Sequence, residues 1–191
     1  QGGVIYESAI LGPSVIGSNV GIGPDQFLGA GFSLSEPTQI TAVGGHLSGY
    51  LSTEGLPLFG AIISLPAEAT LPAFHPTSLE SQSLGTALVT PLDGQVSSDV
   101  RAPLLLALSP GNYALVFGSG IFGATGLGGM IDLDADIGAP FYFFSNSGLA
   151  DTNWRIGGFS NTRFVVEGTA IDALIPEPAT LAIFGLGLVG L

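Results

Sequence analysis

Apolar and polar residues alternate with a period of two along most of this chain. Leu28, Ala30, Phe32 and Leu34 alternate with Gly29, Gly31 and Ser33, which predicts a half-buried strand that Ser35-Glu36-Pro37 ends. In residues 38–51, Ile40 and Ala42 share one face, whereas Leu47 and Leu51 share a face of opposite parity. A bulge at Gly44-Gly45 would restore the register. Residues 58–65 and 84–90 read as further strands. Between them, residues 66–83 carry three prolines, His75 and several Ser/Thr, the composition of a surface excursion. Pro91-Leu92-Asp93-Gly94 marks a turn. Leu104, Leu106 and Leu108 line one face of a strand, and Tyr113, Leu115 and Phe117 line one face of the next. The turn chemistry of Ser109-Pro110-Gly111-Asn112 between them predicts a β-hairpin. Residues 141–144 and 162–167 complete the series, the latter with Phe164 and Val166 inward and Arg163, Val165 and Glu167 outward.

No segment sustains a 3.6-residue amphipathic period. About nine to eleven short strands with frequent turns predict an all-β fold, an antiparallel β-sandwich that is jelly-roll-like. It occupies residues 1–170, and residues 171–191 form a linker and an apolar C-terminal tail. Hydrophobic residues make up 46% of the 191-residue chain and charged ones only 9%, so it can bury a core and is not of the disordered class. The 30 glycines and 13 prolines favour turns over helices.

The net charge is −12, from 15 acidic residues against three arginines (Arg101, Arg155 and Arg163), with no lysine. Such a surface repels nucleic acid and anionic lipid headgroups, so membrane contact is expected only through the unprocessed tail. Lysine is a common device for keeping exposed strand edges from pairing between molecules, and its absence leaves self-association open. The lack of cysteine excludes disulfides and thiolate chemistry.

Candidate chemistry is sparse. Gly118-Ser119-Gly120-Ile121-Phe122-Gly123 follows a strand like a dinucleotide-binding turn, but the glycine-rich continuation does not suit the helix that mechanism needs, and a loop is expected. Asp132, Asp134 and Asp136 would share one face of an extended strand, about 6.5–7 Å between neighbours. They are candidate Ca2+ ligands, with a solvated acidic face as the alternative. His46, on the outward face of its strand, and His75, in the proline-rich excursion, are expected at the surface. There is no Gly-x-Ser-x-Gly elbow, and no constellation argues for an enzyme. Among the aromatic residues Tyr50, Phe141, Tyr142, Phe143, Phe144 and Trp154, the candidate for stacking on sugar is Trp154, beside Arg155. The alternative is core packing.

The C-terminus carries the most specific signal. Pro176-Glu177-Pro178-Ala179-Thr180 precedes the apolar, Leu/Gly-rich run from Leu181 to Leu191. It resembles the sorting signal of the PEP-CTERM family of bacterial exported proteins, in which such a motif precedes a transmembrane stretch and an arginine cluster. The chain stops before a basic cluster. It begins at Gln1-Gly2-Gly3 with no initiator Met, which reads as a start after signal-peptide removal. The resemblance implies an exosortase as processing partner and an association with exopolysaccharide and biofilm, and it agrees with a β-sandwich ahead of the tail. The expectation is therefore a non-enzymatic structural protein, secreted to the cell surface or extracellular matrix of a bacterium and self-assembling into a homopolymer or filament. The alternative is a carbohydrate-binding module associated with exopolysaccharide.

Overall fold

The structure, a computed structural model, describes residues 2–17, 20–92 and 95–171. The proposed sorting motif Pro176, Glu177 and Pro178 and the apolar tail lie outside the described residues, as do Asp93 and Gly94 of the expected turn. Among the described residues, twelve strands form an antiparallel sandwich of two six-stranded sheets. The strands of sheet I are β1 (Gly3–Glu7), β2 (Val20–Ile22), β4 (Thr38–Gly49), β7 (Ser98–Leu108), β9 (Gly128–Met130) and β12 (Phe164–Ala170). They run in the order β1-β12-β4-β9-β2, with β7 also paired to β4. Sheet II contains β3 (Phe27–Leu34), β5 (Leu58–Ser64), β6 (Ser83–Val89), β8 (Gly111–Gly118), β10 (Tyr142–Ser145) and β11 (Arg155–Ile156), in the order β11-β10-β3-β8-β5-β6. From β3 to β10 only the step from β5 to β6 stays within one sheet, which is the wrapping expected of a jelly-roll-like sandwich.

Between the sheets lies the main core. Sheet II contributes Leu28, Ala30, Phe32, Leu58, Ile62, Tyr113, Leu115 and Phe117, and sheet I contributes Ile40, Val43, Leu47, Val100, Phe164 and Val166. The alternating positions read at residues 28–32, 113–117 and 164–166 are among these inward faces, and each large side chain fully withdrawn from water contributes about 1.5–3 kcal/mol. A second apolar cluster covers the outer face of sheet II. It joins Phe27, Phe59, Ala61, Ile63, Ala114, Val116 and Phe143 to Leu79, Ala124 and Trp154 from the connecting segments. Strands β5 and β8 are therefore apolar on both faces, which the unbroken runs at residues 58–63 and 113–117 reflect.

Two local expectations are corrected. Strands β7 and β8 exist with the turn between them, but they do not form a hairpin: β7 pairs with β4 in sheet I, and β8 pairs with β3 and β5 in sheet II. The turn at Ser109-Pro110 is a corner between sheets, closed by the Tyr113 hydroxyl donating to the Ser109 carbonyl at 2.8 Å. The parity change in β4 is real, but the irregularity sits at Thr41, between Ile40 and Ala42, where both neighbouring strands shift register. Gly44 and Gly45 lie in regular register and are needed for a different reason. A β-carbon at Gly44 would stand 1.9 Å from the Val100 carbonyl oxygen, and one at Gly45 2.4 Å from that of Arg163.

Candidate functional site

The two outer faces of the sandwich hold most of the chemistry-bearing residues. On sheet I, His46 points outward from β4, as its parity predicts, yet it is 0% exposed rather than a surface histidine. Its Nδ1 lies 2.7 Å from Oδ1 of Asp134, itself buried. The same carboxylate oxygen accepts the Gly12 amide at 2.7 Å, and the backbone bridge between Ile10 and Ala135 brings the two segments together. The N-terminal segment and residues 131–135 thus roof the histidine. Asp99 is its cross-strand partner on β7, and the Arg163 carbonyl accepts its amide on the other side. Arg163 donates to Asp99, to Glu7 at 2.8 Å and to the Ala9 carbonyl at 3.1 Å. Arg101 grips both Asp99 oxygens and reaches Glu167 at 3.1 Å. Two of the three arginines therefore build an ion-pair ladder Glu7–Arg163–Asp99–Arg101–Glu167 across sheet I. Nearby, the buried Tyr142 hydroxyl donates to the Thr162 carbonyl at 2.8 Å, and burial raises its pKa above the ordinary tyrosine value.

The three aspartates do not share a face, because residues 131–136 form no regular strand. Asp134 is turned inward to His46, Asp136 is exposed and accepts the Gly138 amide at 2.8 Å, and Asp132 is half-buried with interactions of its own. Among the described residues no three His, Cys, Asp or Glu side chains are grouped to hold a metal ion. The expectation that Asp132, Asp134 and Asp136, the candidate Ca2+ ligands, share one strand face is thus corrected. The chain leaves extended geometry there, and the middle carboxylate already serves the histidine.

Trp154 is likewise corrected as a sugar platform. It is only 5% exposed, packs edge-on against Phe74 and Phe143, and donates its indole N–H to the Phe74 carbonyl at 2.9 Å. It pins the 66–83 excursion onto the outer face of sheet II. Beside it, the Arg155 guanidinium bonds the Asp151 carboxylate and holds its pKa down at about 2. His75 is exposed, as expected. The Gly118–Gly123 segment is a loop whose next element is strand β9, so it lacks the helix a pyrophosphate site requires.

A cleft at the end of sheet I was not singled out in the sequence. Gly21 and Gly23, two residues apart on and just after β2, form its floor, and Asp25, Gln26, Tyr50 and Leu127 line it; it encloses about 290 Å³. A β-carbon on Gly21 would sit 3.7 Å from both the Gln26 Oε1 and the Tyr50 hydroxyl, and one on Gly23 would sit 2.9 Å from Asp25 Oδ1. Three polar groups therefore lean over a glycine floor. Tyr50 is 40% exposed. Its backbone is tied to Leu127 by an amide bond of 3.1 Å, and Thr53 Oγ1 bonds both the Leu127 amide and its carbonyl. A bridge between Gly23 and Gln26 closes the turn carrying Asp25 and Gln26. Pro24 in that turn packs so closely on Gly148 that a β-carbon there would lie 1.9 Å from the Pro24 carbonyl oxygen. Only an exposed tyrosine hinted at this site. Its partners are 24 and more residues away in sequence, and nothing in the local pattern joins them.

Compared with known proteins, the chain matches no family model and no curated sequence.

Proposed function

We propose that this chain is an exported structural protein of a bacterial cell surface or extracellular matrix, and that copies of it associate. The observation that carries this reading is the use of its ionisable groups. All three arginines and the buried His46 are bonded within the fold, where they tie segments together. A chain built this way presents an acidic, cation-poor exterior and a cross-braced sandwich, properties suited to a load-bearing module. The resemblance of Pro176-Glu177-Pro178 and the following apolar run to an exosortase-processed sorting signal supports export.

The route of association is not the simple pairing of strand edges. β1, β6 and β7 each carry a register irregularity, β7 also holds Pro103, and β2 and β11 have only three and two residues. Bulges, proline and shortness blunt edges as lysine would. Association is assigned instead to exposed apolar side chains such as Leu105 and Ile16 and to the apolar tail. Light scattering and negative-stain microscopy of native, processed material test this reading, with immunolocalisation on intact cells. Multimers at the cell surface are expected. A soluble monomer that retains residues 181–191 would defeat the assembly reading, and a purely cytoplasmic pool would defeat export.

A further inference from the structure

We propose that the cleft over Gly21 and Gly23 binds one ring of a neutral saccharide, independently of how the chain is exported or assembled. The exposed Asp25 carboxylate, the half-buried Gln26 amide and the exposed Tyr50 hydroxyl line one space and are open to a ligand in it. A cleft that sets a few convergent polar groups beside apolar surface is the ordinary form of a small-molecule site. The exposed Tyr50 ring and the Leu127 side chain offer apolar surface for the C–H face of a sugar. The three polar groups match hydroxyls, which donate to a carboxylate and both donate to and accept from an amide or phenol.

Charge and size narrow the class. No cationic side chain lines the cleft, and all three arginines are bonded elsewhere, in a chain of net charge −12; an anionic sugar or a phosphate has no counter-charge there. Asp25 is the only carboxylate of the lining. Calcium, which takes six to eight oxygens, is poorly served by it, and a glycosidase pair is missing. The site is therefore one of binding, not cleavage. A volume of about 290 Å³ stands at the lower end for small-molecule sites, enough for one ring of a longer chain. A side chain at position 23 would displace the Asp25 carboxylate, which a β-carbon there would approach to 2.9 Å. At Gly21 an added β-carbon meets only ordinary contacts, so a substitution can fill the cleft without strain on the fold.

Affinity electrophoresis of the full chain through gels containing laminarin, mannan or dextran, with alginate as the acidic control, tests the inference. Retardation by at least one neutral polysaccharide is expected, unchanged by EDTA and absent with alginate. Gly21→Val, which fills the cleft, and Tyr50→Ala, which removes the apolar wall, should each weaken retardation at least tenfold, and Asp25→Asn severalfold, with thermal melts close to the parent. No retardation by any of the three neutral polysaccharides would overturn the proposal. So would retardation that survives Gly21→Val in a protein with a parental melt, that vanishes in EDTA, or that is stronger with alginate.

Discussion

The outer faces of the two sheets are fastened by opposite means. Sheet I is closed by charge: a ladder of two arginines and three carboxylates, together with the His46–Asp134 pair that fastens the N-terminal segment to residues 131–135. Sheet II is closed by apolar surface: Phe143, Phe74 and Trp154 clamp two irregular segments over Phe59 and Val116. Apolar burial is additive and tolerant of direction, so a loop with a few aromatics suffices. Charged closure is more exacting, because removing one member of a buried pair leaves the other uncompensated. The apolar cover of sheet II therefore tolerates approximate geometry, whereas the charged cover of sheet I is specific in its partners.

The comparison can be broken first at its apolar side. Phe143→Ala removes a fully buried ring from the sheet II cover and should cost about 3–5 kcal/mol, read by urea denaturation. At the charged face, Asp134→Ala strands His46 and the Gly12 amide and should cost about 3 kcal/mol or more. The double variant His46→Leu/Asp134→Asn keeps an acceptor for Gly12 and leaves no unpaired charge, so it should lose less than Asp134→Ala alone; an equal or larger loss would show that charge pairing is not what holds this face. Asp99→Asn weakens the half-exposed hub between the two arginines by about 1 kcal/mol at low salt, less in 1 M NaCl.

The smallest expected effect is acid-dependent and lies on the sheet II side. Asp151 has a pKa of about 2 in the folded chain, below the ordinary 3.8, because Arg155 bonds it. Its contribution is present above about pH 4 and is lost as the pH falls towards 2, since the unfolded carboxylate binds its proton first. Stability profiles of the parent and Asp151→Asn should converge over that interval. Parallel profiles would exclude Asp151 as a source of acid sensitivity.

Several features were legible before any coordinates. The inward residues of β3, β7 and β8 follow from alternation, because successive side chains of an extended chain must point to opposite sides. The double-sided burial of β5 and β8 was also written in their unbroken apolar runs, although the alternating reading passed over it. Arg163 and Glu167 were correctly placed outward, but that they join through Asp99 and Arg101 depends on β4 lying between β7 and β12. The aspartate triplet misled because its spacing presupposed a strand that Asp134 abandons to reach His46.

By itself the sequence determined the all-β class, the division into strands and turns, the inward faces and the scarcity of cations, since these depend on the sterics and solvation of neighbouring residues. Only the tertiary structure decided that β7 and β8 part at their turn, that His46 and Trp154 are covered, and that Asp25, Gln26 and Tyr50 share a cleft. The reason is distance along the chain. His46 and Asp134 are 88 residues apart and Trp154 and Phe74 are 80 apart, so their meeting rests on how whole sheets stack and no local periodicity records it.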